Sequence, residues 1–143
     1  AFREQLQLRI RACWGLDAEF AKSTPQAAGV INAYAQSENL GVDRWLTMLA
    51  AKARGQGACC IVDAGSALTV DLLRDDGLHL HNGILSMTVA WLIAMSESAL
   101  DSGGTLYLTG GDAQVLSAQL QARSVPHEIV ADLVLEGLAA ALP

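Results

Sequence analysis

The chain has 143 residues, of which 52% are hydrophobic and 17% charged, with a formal net charge of −6. This composition fits one compact domain of ordinary size with a real core and excludes a disordered chain. Lys and Arg are scattered within an acidic total, which excludes a nucleic-acid partner, because phosphate neutralisation needs clustered positive charge.

Cys13, Cys59 and Cys60 include an adjacent pair on a predicted core strand, with side chains on opposite faces. Neither a disulfide framework nor a zinc site follows, and a reducing cytoplasm fits best. The longest uncharged apolar stretch, Ile84 to Met95, is too short to span a bilayer, so no membrane is expected as a partner. No signal peptide precedes Ala1, and the chain reads as starting inside a helix, as a fragment would.

Residues 2 to 13 carry Phe2, Leu6, Leu8, Ile10 and Cys13 among polar residues, an imperfect helical stripe that Gly15 stops. Ala18 to Ala21 reads as a short strand, and residues 23 to 41 as an irregular connection with little order of its own. Val42 to Ala53 is a predicted helix in which Trp45, Met48, Leu49 and Lys52 recur at helical spacing. Asp43 falls in its first turn, where an acid is favoured by the helix dipole alone.

Gly55 and Gly57 lead into Cys59-Cys-Ile-Val-Asp-Ala-Gly-Ser-Ala-Leu-Thr-Val-Asp-Leu-Leu73. The first apolar run is too short for a helix and reads as a buried strand, turning at Gly65 into a second strand with alternation from Leu68 to Leu72. Such a turn can cradle a phosphate. Backbone N–H groups around a residue without a Cβ converge on phosphate oxygens, Ser66 and Thr69 add hydroxyls, and Asp63 can hold a magnesium water. An ordinary hairpin with Asp63 capping its turn fits the same residues, since Asp-x-Gly-Ser is a weak motif by itself.

Arg74-Asp75-Asp76-Gly77 signals a hairpin turn into a third strand, which completes a meander. His79 and His81 lie two apart on one face of it, but no third metal ligand stands at suitable spacing. Met87 to Leu100 reads as a helix; Trp91 there, like Trp45, reads as core. Thr105 to Thr109 alternates into a strand and meets Gly110-Gly111-Asp112 before a helix over Ala113 to Arg123. That turn suits a ligand lying on bare backbone, and equally a tight strand-to-helix turn with Asp112 as N-cap. Pro126 to Val130 is a short strand, and Leu133 to Leu142 a closing helix in which Gly137 permits close packing. The strands at 58 to 63, 67 to 73 and 78 to 82 should be consecutive in one mixed sheet, extended by those near 105 to 109 and 127 to 130. Gly65, Gly110 and Asp43 should then face one cleft.

Taken together, Gly29-Val-Ile-Asn-Ala-Tyr34, Leu40-Gly-Val-Asp-Arg-Trp45, Asp63-Ala-Gly-Ser-Ala-Leu-Thr-Val-Asp71 and Leu108-Thr-Gly-Gly-Asp112 resemble the type III pantothenate kinase family. Asp132-Leu-Val-Leu-Glu-Gly-Leu138 looks like its final helix, and the resemblance covers most of residues 28 to 139. It implies an α/β fold of the actin-like ATPase (ribonuclease H-like) class, with residues 1–41 a remnant of a first actin-like domain plus connecting loop and residues 42–143 the second. It also implies ATP- and Mg2+-dependent phosphorylation of pantothenate, the first step towards coenzyme A, a monovalent cation (K+ or NH4+), a homodimer and a cytoplasmic location. Carried over by position, Asp43 would be the catalytic base, and Tyr34, Gly41 and Arg44 would shape the pantothenate pocket. Gly65, Ser66 and Thr69 would hold the ATP phosphates, Gly110 and Gly111 would lie against the nucleotide, and Asp63 would help place the metal.

The family's opening Asp-x-Gly-Asn/Thr turn has no counterpart in these residues. His81-Asn-Gly-Ile-Leu-Ser-Met87 stands where the family has Gly-Gly-Tyr-Ile-x-Pro-Gly, and only Thr88 to Gly104 fills an interval that the family fills with further helices. Three readings stay open: an incomplete stretch of a kinase, a non-catalytic relative acting as a binding or regulatory module, or a structural domain that resembles the family in fold only.

Overall fold

The computed structural model describes residues 2–55, 57–80, 100–101 and 103–142. The predicted helix at Met87 to Leu100 lies outside them except for Leu100, which is helical, and so do His81, Trp91 and the stretch from His81 to Met87.

Five strands form one mixed sheet: β3 (Cys59–Ala64), β4 (Leu68–Leu73), β5 (His79–Leu80), β6 (Thr105–Thr109) and β7 (Glu128–Ile129), in the spatial order β5-β4-β3-β6-β7. β3, β4 and β5 are the expected antiparallel meander, while β6 and β7 add to the other side in parallel. Helices cover both faces, so the fold is α/β with a mixed sheet flanked by helices.

The period of two sorts the central strands. Cys59, Ile61, Leu73 and Tyr107 join one core with helix α2 (Val42–Arg54) and Leu133, whereas Cys60, Val62, Val70, Leu106 and Leu108 join a second core with Leu120. The adjacent cysteines therefore face opposite ways, as alternation requires, and both are free thiols. Burial pushes the Cys59 thiol up to about 12, against a smaller opposing pull from Lys52, so it stays an inert core group.

α2 lies between the sheet and helix α4 (Leu133–Ala141), and every residue from Arg44 to Ala51 is buried. Trp45 is core, as its spacing predicts. The close fit of α4 depends on Gly137, where a Cβ would sit 1.8 Å from the Leu46 carbonyl oxygen. Helix α3 (Ala113–Gln121) packs on the opposite face.

Two local expectations are corrected. Ala18 to Ala21 forms no strand. The connection at 23–41 is more ordered than its composition suggests. It contains a two-residue hairpin, β1 (Gln26–Ala27) with β2 (Val30–Ile31), and a 3-10 turn at Ser37–Asn39. Ala28 and Gly29 take φ of 45° and 80°, which closes that hairpin tightly. The hairpin is fastened to the β4–β5 turn by Ile31 N–H donating to the Gly77 carbonyl at 2.9 Å, and Gly77 (φ 84°) has no room for a Cβ against Gly29. Asp112 occupies the N-cap position of α3 without a side-chain cap; its carbonyl accepts from Val115 and Leu116 instead. The first helix, α1 (Phe2–Trp14), runs as predicted and buries none of its residues.

Replacing Gly137 with Val should force the α2 and α4 backbones apart and cost about 3 kcal/mol of stability by chemical denaturation. A loss below about 0.5 kcal/mol would show that the helices do not need this approach.

Candidate functional site

The first turn of α2 meets the sheet at β4, where Arg44 bonds Asp71. Asp63 stands opposite Thr69 on β4 and beside Thr109 on β6, and all three lie on the α2 face. Both glycine turns adjoin Asp63. A Cβ on Gly65 would lie 3.3 Å from Asp63 Oδ1, and one on Gly110 would lie 2.4 Å from the same oxygen and 2.5 Å from the Ala64 carbonyl carbon. With φ at 90°, Gly110 is the position that demands glycine, whereas Gly65 is merely snug. Gly111 faces open space, and Asp112 N–H donates to the Ala64 carbonyl at 2.9 Å, clamping this turn over the end of β3. Ser66 is exposed in the β3–β4 turn.

The two turns thus meet at Asp63, whereas the cleft beside them is lined by Gly65 and not by Gly110 or Asp43. This open cleft of about 380 Å3 lies on the α3 side, and its lining includes Leu68, Asp112, Val115, Leu116 and Gln119. Its apolar wall was not foreseen from the sequence. The available signal was Val115 on the turn's own helix, which is 63% exposed.

On the α2 side, Arg44 reaches down to Asp71. Its Nε and Nη2 donate to the two Asp71 oxygens at 2.9 and 2.5 Å, and both side chains are buried. Arg44 Nη1 donates to the Tyr34 hydroxyl at 3.3 Å. His79 Nε2 lies 2.9 Å from Asp71 Oδ1, and its ring stacks with Tyr34 at 6.2 Å between centroids. His79 Nδ1 is buried without a hydrogen-bond partner among the described residues. Tyr34 and Arg44 are thus brought together as expected, but through Asp71 and His79, for which the sequence suggested no site role.

Asp43 is exposed at the second position of α2; its Oδ1 accepts from Arg44 N–H at 2.8 Å, and Gly41 precedes it as the uncapped N-cap. The alternative of a dipole partner is satisfied by this geometry. Asp43 also acts on Asp63: burial first, then the charges of Asp43 and Asp71, push the Asp63 carboxyl above the usual range. Asp71 goes the other way. Burial alone would raise it, but hydrogen bonds from His79 and Arg44, with their charges, hold it below the usual range. Arg44 is raised in turn, the opposing effect of its burial being outweighed by Asp71 and Tyr34. A carboxylate depressed in this way contributes stability above its unfolded value of about 3.9, lost as pH falls through the folded value.

For Asp63 the sign reverses: its ionisation favours the unfolded chain, so its contribution declines as pH rises from about 3.9 through the raised folded value. Asp63→Asn should raise the melting temperature at pH 7 by on the order of a few degrees, with the gain fading towards pH 4. A gain that is the same at both pH values would mean that ionisation of Asp63 is not its source.

The geometry has counterparts among known proteins. A family model described as type III pantothenate kinase matches residues 1–89. The type III pantothenate kinase of Ectopseudomonas mendocina (strain ymp) is 31% identical over an alignment covering 98% of this chain and 75% of that protein. That of Halorhodospira halophila is 34% identical, with 94% of this chain and 50% of the relative covered, and that of Nitrosococcus oceani is 42% identical over 54% of this chain and 31% of the relative. The matched part of the curated relatives thus ranges from about a third to three quarters of their length. The first of these alignments runs over 190 residues, longer than the 143 of this chain, so that relative carries additional residues within the matched region. The family match over well over half of the chain, together with relatives of 31 and 34% identity along nearly all of it, establishes that this chain belongs to the type III pantothenate kinase family.

Proposed function

We propose that the protein to which these residues belong uses ATP to phosphorylate the primary hydroxyl of pantothenate, giving 4'-phosphopantothenate at the start of coenzyme A synthesis. The observation that carries this reading is the meeting of the Gly65 and Gly110 turns at Asp63, whose carboxyl also feels the charge of Asp43, with the buried Arg44–Asp71 pair fixing the first turn of α2. In this reading the fold is the actin-like ATPase class, with residues 1–41 as part of a first domain and its connection and residues 42–143 as the second.

Phosphoryl transfer asks a protein mainly for positioning and charge stabilisation. Asp43, exposed at a helix start, suits a base that orients the pantothenate hydroxyl and accepts its proton. Tyr34, Arg44 and Gly41 would border the pantothenate. N–H groups of the Gly65 turn with the Ser66 and Thr69 hydroxyls would hold the ATP phosphates, and Gly110 and Gly111 would lie along the nucleotide, whose flat base suits the apolar cleft by Val115 and Leu116.

No group of three or more His, Cys, Asp or Glu side chains among the described residues makes a metal cage. Mg2+ needs none when it arrives with phosphates, since one or two carboxylates complete its shell, and the acceptor-only oxygens of Asp63 fit that part. The ion would neutralise charge on the transferred group. A monovalent cation (K+ or NH4+), a homodimer and a cytoplasmic location complete the proposal; no helix among the described residues is long and apolar enough to cross a membrane.

The test is ATP-dependent phosphorylation of pantothenate by the complete protein, with and without Mg2+ and K+. Absence of product would overturn the kinase reading in favour of a non-catalytic binding module. Asp43→Asn should lower kcat by about 10²–10⁴-fold with the fold retained by circular dichroism, and wild-type turnover in this variant would refute its role as base. Gly110→Ala should raise the KM for ATP at least about tenfold, as the added methyl displaces the turn from Asp63; an unchanged KM would remove this turn from the nucleotide site.

A further inference from the structure

We propose that Asp71 is the positioning residue of the acceptor-substrate pocket: it holds the Arg44 guanidinium in one orientation and engages His79 through a proton on Nε2, leaving Nδ1 as the ring atom that bonds the substrate. The inference rests on the kinase reading of the site.

Asp71 accepts at both of its oxygens. An ionised carboxylate only accepts, so each of its three short contacts must be a donor. Arg44 supplies Nε–H to Oδ2 and Nη2–H to Oδ1, and the third, His79 Nε2 on Oδ1, must then carry a proton. With Nε2 committed to Asp71, Nδ1 is the ring atom left to bond another group. Nδ1 is buried and unpartnered among the described residues. A buried polar atom without a partner is costly, and a bound hydroxyl, which can donate or accept, would satisfy it. Pantothenate carries such hydroxyls.

The neighbours support the same assignment. Tyr34 touches both groups that Asp71 holds, stacking on His79 and accepting from Arg44. Asp71 itself is 1% exposed and belongs to β4, so it is anchored by the sheet rather than by a loop. It therefore acts through Arg44 and His79 and need not touch substrate. The pair also couples distant parts of the chain, since Arg44 and Asp71 are 27 residues apart and Asp71 and His79 are 8 apart on neighbouring strands.

The experiment measures pantothenate and ATP kinetics of the complete protein and of Asp71→Asn, together with the long-range 1H–15N spectrum of the histidine rings. In the wild type, His79 should carry its proton on Nε2. An Asn side chain can turn an N–H towards His79, so in the variant the proton should move to Nδ1 and the KM for pantothenate should rise at least tenfold, with the KM for ATP within twofold. A wild-type His79 protonated on Nδ1 alone, an unchanged pantothenate KM, or an equal rise in both KM values would each overturn the inference. Should Asp71→Asn fail to fold, the wild-type ring spectrum decides. If the wild-type protein forms no product, the kinase reading falls, while the same spectrum still tests the hold of Asp71 on His79.

Discussion

The buried pair of Arg44 and Asp71 is the constraint on which the site depends. Both charges are removed from water, which costs several kcal/mol for each ion unless geometry and hydrogen bonding compensate. Here the guanidinium meets the carboxylate through two nitrogens and two oxygens, the arrangement that recovers most of that cost. Loss of either partner would strand the other, at about 3–5 kcal/mol. Because Arg44 belongs to the first turn of α2 and Asp71 to a central strand, the pair fixes where that helix begins. Asp43, one residue earlier, is thereby held at the surface while its neighbour points into the core.

Close backbone approaches place the remaining parts. Gly137 lets α4 lie directly on the backbone of α2, which presses α2 against the sheet, and Gly110 lets the β6–α3 turn fold over the end of β3 against Asp63 and Ala64. These contacts tolerate no side chain, so the geometry is rigid where the glycines sit. Arg54 adds a peripheral tie, bonding Glu128 on β7 and Glu136 on α4 from the last turn of α2.

The two aspartates at this end of the sheet show how environment separates identical groups. Asp71 receives donors from Arg44 and His79 and is held ionised, whereas Asp63 is partly buried and faces the negative charge of Asp43 and Asp71, which raises it. A carboxylate lacking compensation of its own is disposed to meet a cation. Asp71, already satisfied, is disposed to organise its neighbours.

Much of this was legible in the sequence because it is written locally. Alternation in β3 and β4, the helical spacing of Trp45, Met48 and Leu49, and the Arg74-to-Gly77 turn each depend on residues a few positions apart, and the structure contains all of them. The family motifs were legible for the same reason, as short patterns. The 23–41 connection was misread because its order comes from elsewhere: β1 and β2 are held by the β4–β5 turn, nearly fifty residues further on, while Ala18 to Ala21 pairs with no strand. The sequence alone determined the α/β class, the five strands of the main sheet, the core role of Trp45 and the two glycine turns. Only the tertiary structure decided that Arg44 pairs with Asp71, that His79 joins them, and that Asp63 is raised while Asp71 is lowered, because a charge is priced by what surrounds it in space and not by its neighbours along the chain.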